Sequence, residues 1–283
     1  MSELPMEGIR VVSLAVNLPG PLTAARYVEL GAHVTKIVPP GGDPLQWVSP
    51  EWHDNLKEDQ AELTLDLKSV AGQAELAQLL CETDVLLTAQ RPAALARLGL
   101  ERATLAANYP RLCHVAIVGY AAPDENRAGH DLTYQASAGL LEPPEFPRIP
   151  LADYAGSERA VCATLALLWE RDRTGQGGQA TVSMVDALRP YAHALCYGLL
   201  ALGTLLGGAS PLYGLYRTRD GWVALASLEP HFRKRMQVGL GIESLTSAAL
   251  SAAFATRTSD EWDQWAKEQD VPLAAVREPV CPQ

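Results

Sequence analysis

Short apolar runs alternate with amphipathic stretches along the first two thirds of the chain. The run IRVVSLAV (9–16) is apolar and β-branched, which predicts a buried strand of a parallel sheet. NLPGP predicts a turn, TAARYVEL predicts a helix that stops at Gly31, and HVTKIV (33–38) predicts a second strand. These elements form a βαβ unit. Its first turn lacks the G-x-G-x-x-G spacing, so it gives only weak support for a dinucleotide site.

The same alternation continues as far as residue 206. Residues 41–60 are polar and predict an excursion across the surface, and a Pro-rich loop covers 143–150. Further strands are predicted at 62–68, 84–89, 112–120 and 179–184, and helices at 70–82, 92–98, 101–108, 131–141, 158–173 and 184–206. We therefore expect an α/β fold with a parallel, Rossmann-like sheet.

The pattern changes at GTLLGGASP (203–211), which predicts a domain boundary. We expect a Rossmann-like domain over 1–203 and a small α+β domain over 204–283. The second domain is predicted to contain two strands joined by the turn RDG, helices at 230–238 and 245–255, a helix opened by the capping box Thr258-x-x-Glu261, and a short strand in VPLAAV.

Composition narrows the classes of function. The formal net charge is −10, which argues against a nucleic acid partner and against a basic membrane-binding surface. No apolar run reaches the length of a membrane span, and the N-terminus is typical of a first strand, not of a signal peptide. Five scattered cysteines without metal spacing indicate reduced thiols in a cytoplasmic protein, and no metal site is expected: Cys81, Cys113, Cys162, Cys196 and Cys281.

Two residues stand out as a possible acid/base pair. His130 lies in a Gly-His-Asp turn, and Asp153 comes directly before the long helix predicted from 158. A carboxylate at a helix N-terminus is expected to be held ionised and fixed in direction. The alternatives at this point are a helix-capping aspartate and a solvent-facing or capping histidine. The other histidines (33, 53, 114, 193 and 231) have no such context and are expected to be structural or exposed.

Several segments then resemble one family. In order they are GPLTAARYVELGAHVTKIVPPGGD (20–43), LTLDLK (63–68), DVLL followed by RP, YPRL, GHD (129–131), LADYAG (151–156), LLWERDRTGQG (167–177) and YRTRDGWVALASLEP (216–230). This set resembles the class III CoA-transferase and α-methylacyl-CoA racemase family over most of the chain. The Gly-His-Asp turn is closer to the racemase branch.

The resemblance implies roles for particular residues. In a racemase, His130 and Asp153 would move a proton from one face of the α-carbon of a 2-methylacyl-CoA thioester to the other, and Glu229 would support the histidine. The enolate oxygen formed on the way needs hydrogen-bond donors, and the N–H groups of Ala155 and Gly156 are our candidates. In a CoA-transferase, Asp153 would instead be the nucleophile that accepts the acyl group. Glu229 could also simply begin a helix.

The resemblance also implies where the CoA moiety would bind. The segment Leu65, Asp66, Leu67 and Lys68 would hold it, with Arg91 as a second cation and with Gly129, Asp131 and Tyr134 beside the histidine. The alternative for Lys68 is a solvated lysine at the end of a strand. No cofactor beyond the CoA of the substrate, and no metal, is implied. The partners implied are a small-molecule acyl-CoA and a second copy of the chain in a homodimer, with helix 184–206 as a contact.

The chain departs from the family pattern on the ligand side. Glu58-Asp59-Gln60-Ala61 replaces a basic cluster ahead of LDLK, and Pro39 replaces an arginine common in the racemases. TLLGGAS is a shortened version of a longer family segment, and the chain ends before the family's C-terminal return to the first domain. Three alternatives follow: a racemase, a CoA-transferase, and a paralogue that keeps the scaffold without catalysis.

Overall fold

A computed structural model describes residues 4–280, which divide between Ala192 and His193 into two compact units. The domain limit that we expected between 203 and 204 stays a prediction. Cys281, one of the five cysteines in the redox argument, lies outside the described residues. None of the helices within 4–280 is both long and apolar enough to cross a membrane.

The first unit alternates strands and helices, as the sequence predicts. Its strands are β1 (Arg10–Ser13), β2 (His33–Val38), β3 (Ala61–Thr64), β4 (Val85–Thr88), β5 (Cys113–Val118) and β6 (Gln179–Ser183). Its helices are α1 (Pro19–Glu29), α2 (Leu45–Val48), α3 (Pro50–Leu56), α4 (Val70–Leu80), α5 (Pro92–Arg97), α6 (Arg102–Asn108), α7 (Asp131–Ser137), α8 (Leu151–Thr174) and α9 (Met184–Cys196), the last of which runs past the unit boundary.

The six strands form one parallel sheet in the order β3-β2-β1-β4-β5-β6. Apolar side chains cover both of its faces, as a parallel sheet requires. On one face, α1 and α8 contribute Tyr27 and Val161 to the core. On the other face, α4 and α6 contribute Leu76 and Leu105. This confirms the predicted α/β fold with a Rossmann-like sheet, and it places a topological switch between β1 and β4.

Several predicted element limits were wrong, for local reasons. The helix expected at 184–206 ends at Cys196, because Gly198 has a φ of 66° and a Schellman-type bond joins the Leu199 N–H to the Ala194 carbonyl. The strand expected at 62–68 stops at Thr64, because Asp66 accepts the Lys68 N–H at 3.0 Å in an Asx turn.

Two stretches expected as loops are partly helical. The Pro-Gly-Pro of the predicted first turn lies inside α1, since proline has no N–H to lose and is well suited to a first helical turn. The polar excursion at 41–60 contains α2 and α3.

The second unit is a small α+β fold. Strands β7 (Tyr213–Arg217), β8 (Trp222–Ala226) and β9 (Leu273–Ala275) form an antiparallel sheet, and helices α10 (Pro230–Leu240), α11 (Ser247–Phe254) and α12 (Ser259–Gln269) accompany it. The core contains Met236, Phe254 and Trp262. The predicted capping box is present, because Thr258 and Glu261 each accept the other's backbone N–H at the start of α12.

Candidate functional site

A cavity of about 860 Å³ opens at the carboxyl edge of the parallel sheet. The segments that follow β1, β4, β5 and β6 line it, at Asn17, Arg91, Gly119 and Met184. Loops at the carboxyl ends of parallel strands are where open α/β sheets bind ligands, and the switch between β1 and β4 is included here. The cavity therefore lies where the topology predicts a binding site.

Six of the predicted site residues line this one cavity. They are Arg91, Gly129, His130, Asp131, Tyr134 and Asp153. His130 is the residue before α7, its side chain is exposed, and its backbone N–H donates to Thr133 Oγ1 at 3.0 Å. Asp153 arrives from the start of α8. The structure thus brings the two predicted acid/base residues to the walls of a common space, although 22 residues separate them in the sequence.

We expected Asp153 to lie directly before the helix, and this was wrong. Helix α8 begins at Leu151, so Asp153 is the third residue of its first turn. The residue that caps α8 is Asp131, whose Oδ1 accepts the N–H of Ala152 at 2.7 Å and the N–H of Asp153 at 3.3 Å. An aspartate distant in sequence therefore satisfies the helix N-terminus, because Pro150 at the capping position has no side-chain acceptor.

The carboxyl group of Asp153 is half-buried, and its pKa is raised to about 7. Burial is the larger cause, and the negative charge of Asp131 adds to it. Our expectation that a helix N-terminus would keep Asp153 ionised was therefore wrong near neutral pH. The cost of removing the carboxylate from water exceeds the help from the helix. A carboxyl group with a pKa near 7 can both donate and accept a proton.

Tyr134 forms a closely packed part of the cavity wall. A β-carbon on Gly119 or Gly129 would approach the Tyr134 side chain to 2.5 Å or 2.3 Å, so both glycines are required beside the ring. Burial, with a smaller contribution from neighbouring charges that include Asp153, raises the pKa of Tyr134 to about 12. The phenol therefore stays protonated and remains a hydrogen-bond donor. The structure gives Gly129 of the Gly-His-Asp turn a steric reason.

The N–H groups of Ala155 and Gly156 are not available to an enolate oxygen, contrary to our expectation. Both residues lie in the second turn of α8, where the helix uses its own N–H groups. The first turn is also occupied, because the Leu151 N–H donates to the Ile149 carbonyl and the Tyr154 N–H to the Pro150 carbonyl, beside the two that Asp131 accepts.

The segment Leu65–Lys68 is not among the residues that line the cavity. Leu65 is buried in the core under α4, whereas Asp66 and Lys68 are exposed in the turn that follows β3. Glu229 is the exposed residue before α10 in the second unit, where Pro230 begins the helix. The CoA contacts of Leu65, Asp66, Leu67 and Lys68, and the support of His130 by Glu229, stay predictions.

Two parts of the cavity were missed in the sequence. The first is a pair of arginines, Arg127 and Arg148, which line the cavity with Arg91 and have no carboxylate partner within residues 4–280. Their positions a few residues before His130 and Asp153 were the available signal. In a chain of net charge −10, they supply local positive charge to this cavity.

The second missed feature is a buried ion pair behind the cavity wall. Lys36 Nζ lies 2.6 Å from Asp43 Oδ2, and both side chains are almost fully buried. Asp43 Oδ1 accepts the N–H of Asn17 and of Leu45, each at 3.0 Å, and both of these residues line the cavity. Asn17 has a φ of 65°, a strained value for most residues that asparagine tolerates. A lysine among apolar neighbours in HVTKIV was the signal.

The sheet order defines a doubly wound α/β protein, and the cavity at the carboxyl edge of the sheet is a candidate ligand site in its first unit. The sequence profile of CoA-transferase family III matches residues 6–280. The chain belongs to CoA-transferase family III.

Its relatives carry more than one activity. It is 30% identical over 294 residues to human alpha-methylacyl-CoA racemase, in an alignment that covers 92% of this chain and 75% of the relative. It is 27% identical over 323 residues to the cinnamoyl-CoA:phenyllactate CoA-transferase of Clostridium sporogenes, in an alignment that covers 95% of this chain and 77% of the relative. The crystal structure of a CaiB/BaiF family protein from Brucella suis matches with a TM-score of 0.82 and 25% identity, over 98% of this chain and 85% of that one. Similar identity to a racemase and to a transferase establishes the family but not the reaction.

Proposed function

We propose that this protein is an acyl-CoA α-carbon racemase or epimerase that acts on a 2-substituted, for example 2-methyl, acyl-CoA thioester. The observation that carries the proposal is the placement of His130 and Asp153 on one cavity, where burial brings the pKa of Asp153 to about 7. Moving a proton between the two faces of one carbon requires two groups that can each accept and donate it.

The proton transfers balance without a further reactant. One of the two groups removes the α-proton, and the electron pair of the broken C–H bond passes into the thioester carbonyl to form an enolate. The other group then delivers its own proton to the opposite face of the same carbon, and the carbonyl is restored. The two groups end in exchanged protonation states, and solvent returns them to the starting state. Asp153 suits this exchange because a pKa of about 7 populates both of its forms near neutral pH.

Deuterium exchange tests this proposal. The protein is incubated in D₂O with the separate (R) and (S) forms of a 2-methylacyl-CoA, and mass spectrometry follows deuterium at the α-carbon. Wild-type protein is expected to label and interconvert both forms. His130→Ala is expected to lose interconversion and to lose labelling of the form whose α-proton the imidazole removes.

The matched control is His33→Ala, since His33 is exposed on β2 and does not line the cavity. This variant should behave as wild type. Absence of exchange with a panel of acyl-CoA thioesters, in protein shown by calorimetry to bind CoA, would rule out the racemase proposal.

The transferase relatives support a second candidate, in which Asp153 attacks the thioester carbonyl, releases CoA thiolate and holds the acyl group as an anhydride. Hydroxylamine added during turnover is expected to attack the Asp153 carbonyl of this anhydride, which releases the acyl group as its carboxylate and leaves an aspartyl hydroxamate at position 153, detectable by peptide mass spectrometry. Asp172→Asn, an exposed site on the same helix, should trap the same adduct. CoA transfer that persists in Asp153→Asn would exclude this route.

A further inference from the structure

Asp131 uses both of its carboxylate oxygens to connect α7 with the start of α8. Oδ1 accepts the backbone N–H groups of Ala152 and Asp153, at 2.7 Å and 3.3 Å. Oδ2 accepts a hydrogen bond from Gln135 Nε2 at 2.6 Å. Asp131 therefore contacts the backbone of one proposed catalytic residue and directly follows the other, His130, in the chain.

Gln135 completes the connection. Its side chain is 3% exposed, and Nε2 also donates to the Ile149 carbonyl at 3.1 Å. One buried amide thus holds Asp131 and the residue two positions before α8 at the same time. The backbone from Ile149 to Asp153 is fixed to α7 at three points, at Ile149, Ala152 and Asp153.

We infer that Asp131 is a positioning residue for the proposed proton transfer, because its carboxylate fixes the backbone from which the Asp153 side chain enters the cavity. The inference rests on the proposed function. In this role Asp131 positions Asp153, whereas the family resemblance implied that Asp131 contacts CoA. Since proton transfer requires heavy atoms within hydrogen-bonding reach, a small displacement of Asp153 is costly.

The charge of Asp131 has a second effect on Asp153. It opposes ionisation of Asp153 and so adds to the effect of burial on its pKa. The other titratable or charged groups on the same cavity are Arg91, Glu125, Arg127, His130, Tyr134 and Arg148. All of these remain when Asp131 alone is replaced, so a change in the titration of Asp153 reports the contribution of Asp131.

Two substitutions separate position from charge. Asp131→Asn keeps an acceptor oxygen for the N–H groups of Ala152 and Asp153 but removes the charge and the acceptor for Gln135 Nε2, and Asp131→Ala removes all of these. The pKa of Asp153 is measured in the protein without substrate by ¹³C NMR of aspartate labelled at the carboxyl carbon, with Asp153→Asn to assign the signal. We expect Asp131→Asn to lower this pKa by about one unit. In the exchange assay, we expect Asp131→Ala to lower kcat on the order of ten-fold or more, with KM changed little.

Asp124→Asn is the control, because Asp124 is exposed and lies on the loop before α7. It should leave both the titration and the exchange rate unchanged, and thermal unfolding checks that each variant is folded. An unchanged Asp153 pKa in Asp131→Asn, or an unchanged kcat in folded Asp131→Ala, would overturn the inference. If wild-type protein introduces no deuterium into any acyl-CoA, the proposed function fails. The NMR titration still shows whether Asp131 raises the pKa of Asp153.

Discussion

Asp153→Asn is expected to abolish measurable racemisation and, at the same time, to make the protein more stable above pH 7. The loss of activity follows from removing one of two proton-transfer groups, each of which contributes about 10²–10⁴-fold. The gain in stability follows from the same burial that suits the group to its role. An asparagine has no charge to remove from water.

The sign of the pH dependence follows from the two pKa values. The pKa of Asp153 rises from an ordinary 3.8 to about 7 on folding, so between these values the folded state holds a proton that the unfolded state has released. Stability therefore decreases as pH rises from about 4 to 7, and the cost is complete above pH 7. A shift of about 3 units corresponds to roughly 4 kcal/mol. Asp153→Asn should remove this cost at pH 8 and change little at pH 4.

Urea unfolding at pH 5 and pH 8 measures this effect. Asp172→Asn provides the control, since Asp172 is exposed near the other end of the same helix. Its unfolding free energy should differ from wild type by the same small amount at both values. Equal effects of Asp153→Asn on the unfolding free energy at pH 5 and pH 8 would show that folding does not raise the pKa of Asp153. The electrostatic support for its proposed role would then be lost.

The sequence was sufficient for most of the fold because each strand of the first unit is a short apolar run bounded by turn residues. HVTKIV, for example, gives β2 at its predicted limits. Element ends that depend on distant partners were not predictable in this way. The start of α8 was placed too late, because the group that caps it is Asp131, 20 residues before Leu151. Local capping rules do not detect such a partner.

In the candidate site too, local motifs were predictable from the sequence, whereas effects of residues distant in the sequence were not. The Gly-His-Asp turn and LADYAG both resemble family motifs, and they identified residues that the structure brings to one cavity. The resemblance could not supply the protonation state of Asp153, because this depends on burial and on the nearby charge of Asp131. The arginines at 127 and 148 were missed because each is isolated in the sequence, and only the folded chain places them on the same cavity.

His114 gives the second large expected effect, with the opposite dependence on pH. We expected this histidine to be structural or exposed; it is 3% exposed on β5, an interior strand of the parallel sheet. Its Nε2 lies 3.0 Å from Thr88 Oγ1, and Nδ1 has no hydrogen-bond partner among residues 4–280. Burial lowers the pKa of His114 from 6.5 to about 4. The unfolded chain therefore binds a proton at a pH where the folded protein does not, and stability is lost as pH falls from 6.5 through 4.

The lost stability should reach about 2 to 3 kcal/mol near pH 4.5. His114→Leu is expected to lower stability at pH 7, since it leaves the Thr88 hydroxyl without its partner, but to remove this acid-dependent part of the loss. Urea unfolding at pH 7 and pH 4.5 measures the difference, with exposed His33→Leu as the control that should keep the wild-type dependence.

Asp153 and His114 change the stability of the fold in opposite directions as pH falls. In wild-type protein, protonation of Asp153 strengthens the fold on acidification while the burial of neutral His114 weakens it, so their contributions partly offset between pH 7 and pH 4.5. Asp153→Asn should therefore expose a steeper acid loss than wild type, and His114→Leu should expose a gain. The double variant should lose both contributions, because one group lies in a strand of the sheet and the other lines the cavity. A His114→Leu protein whose stability changes by the same amount as that of wild type between pH 7 and pH 4.5 would contradict the lowered pKa of His114.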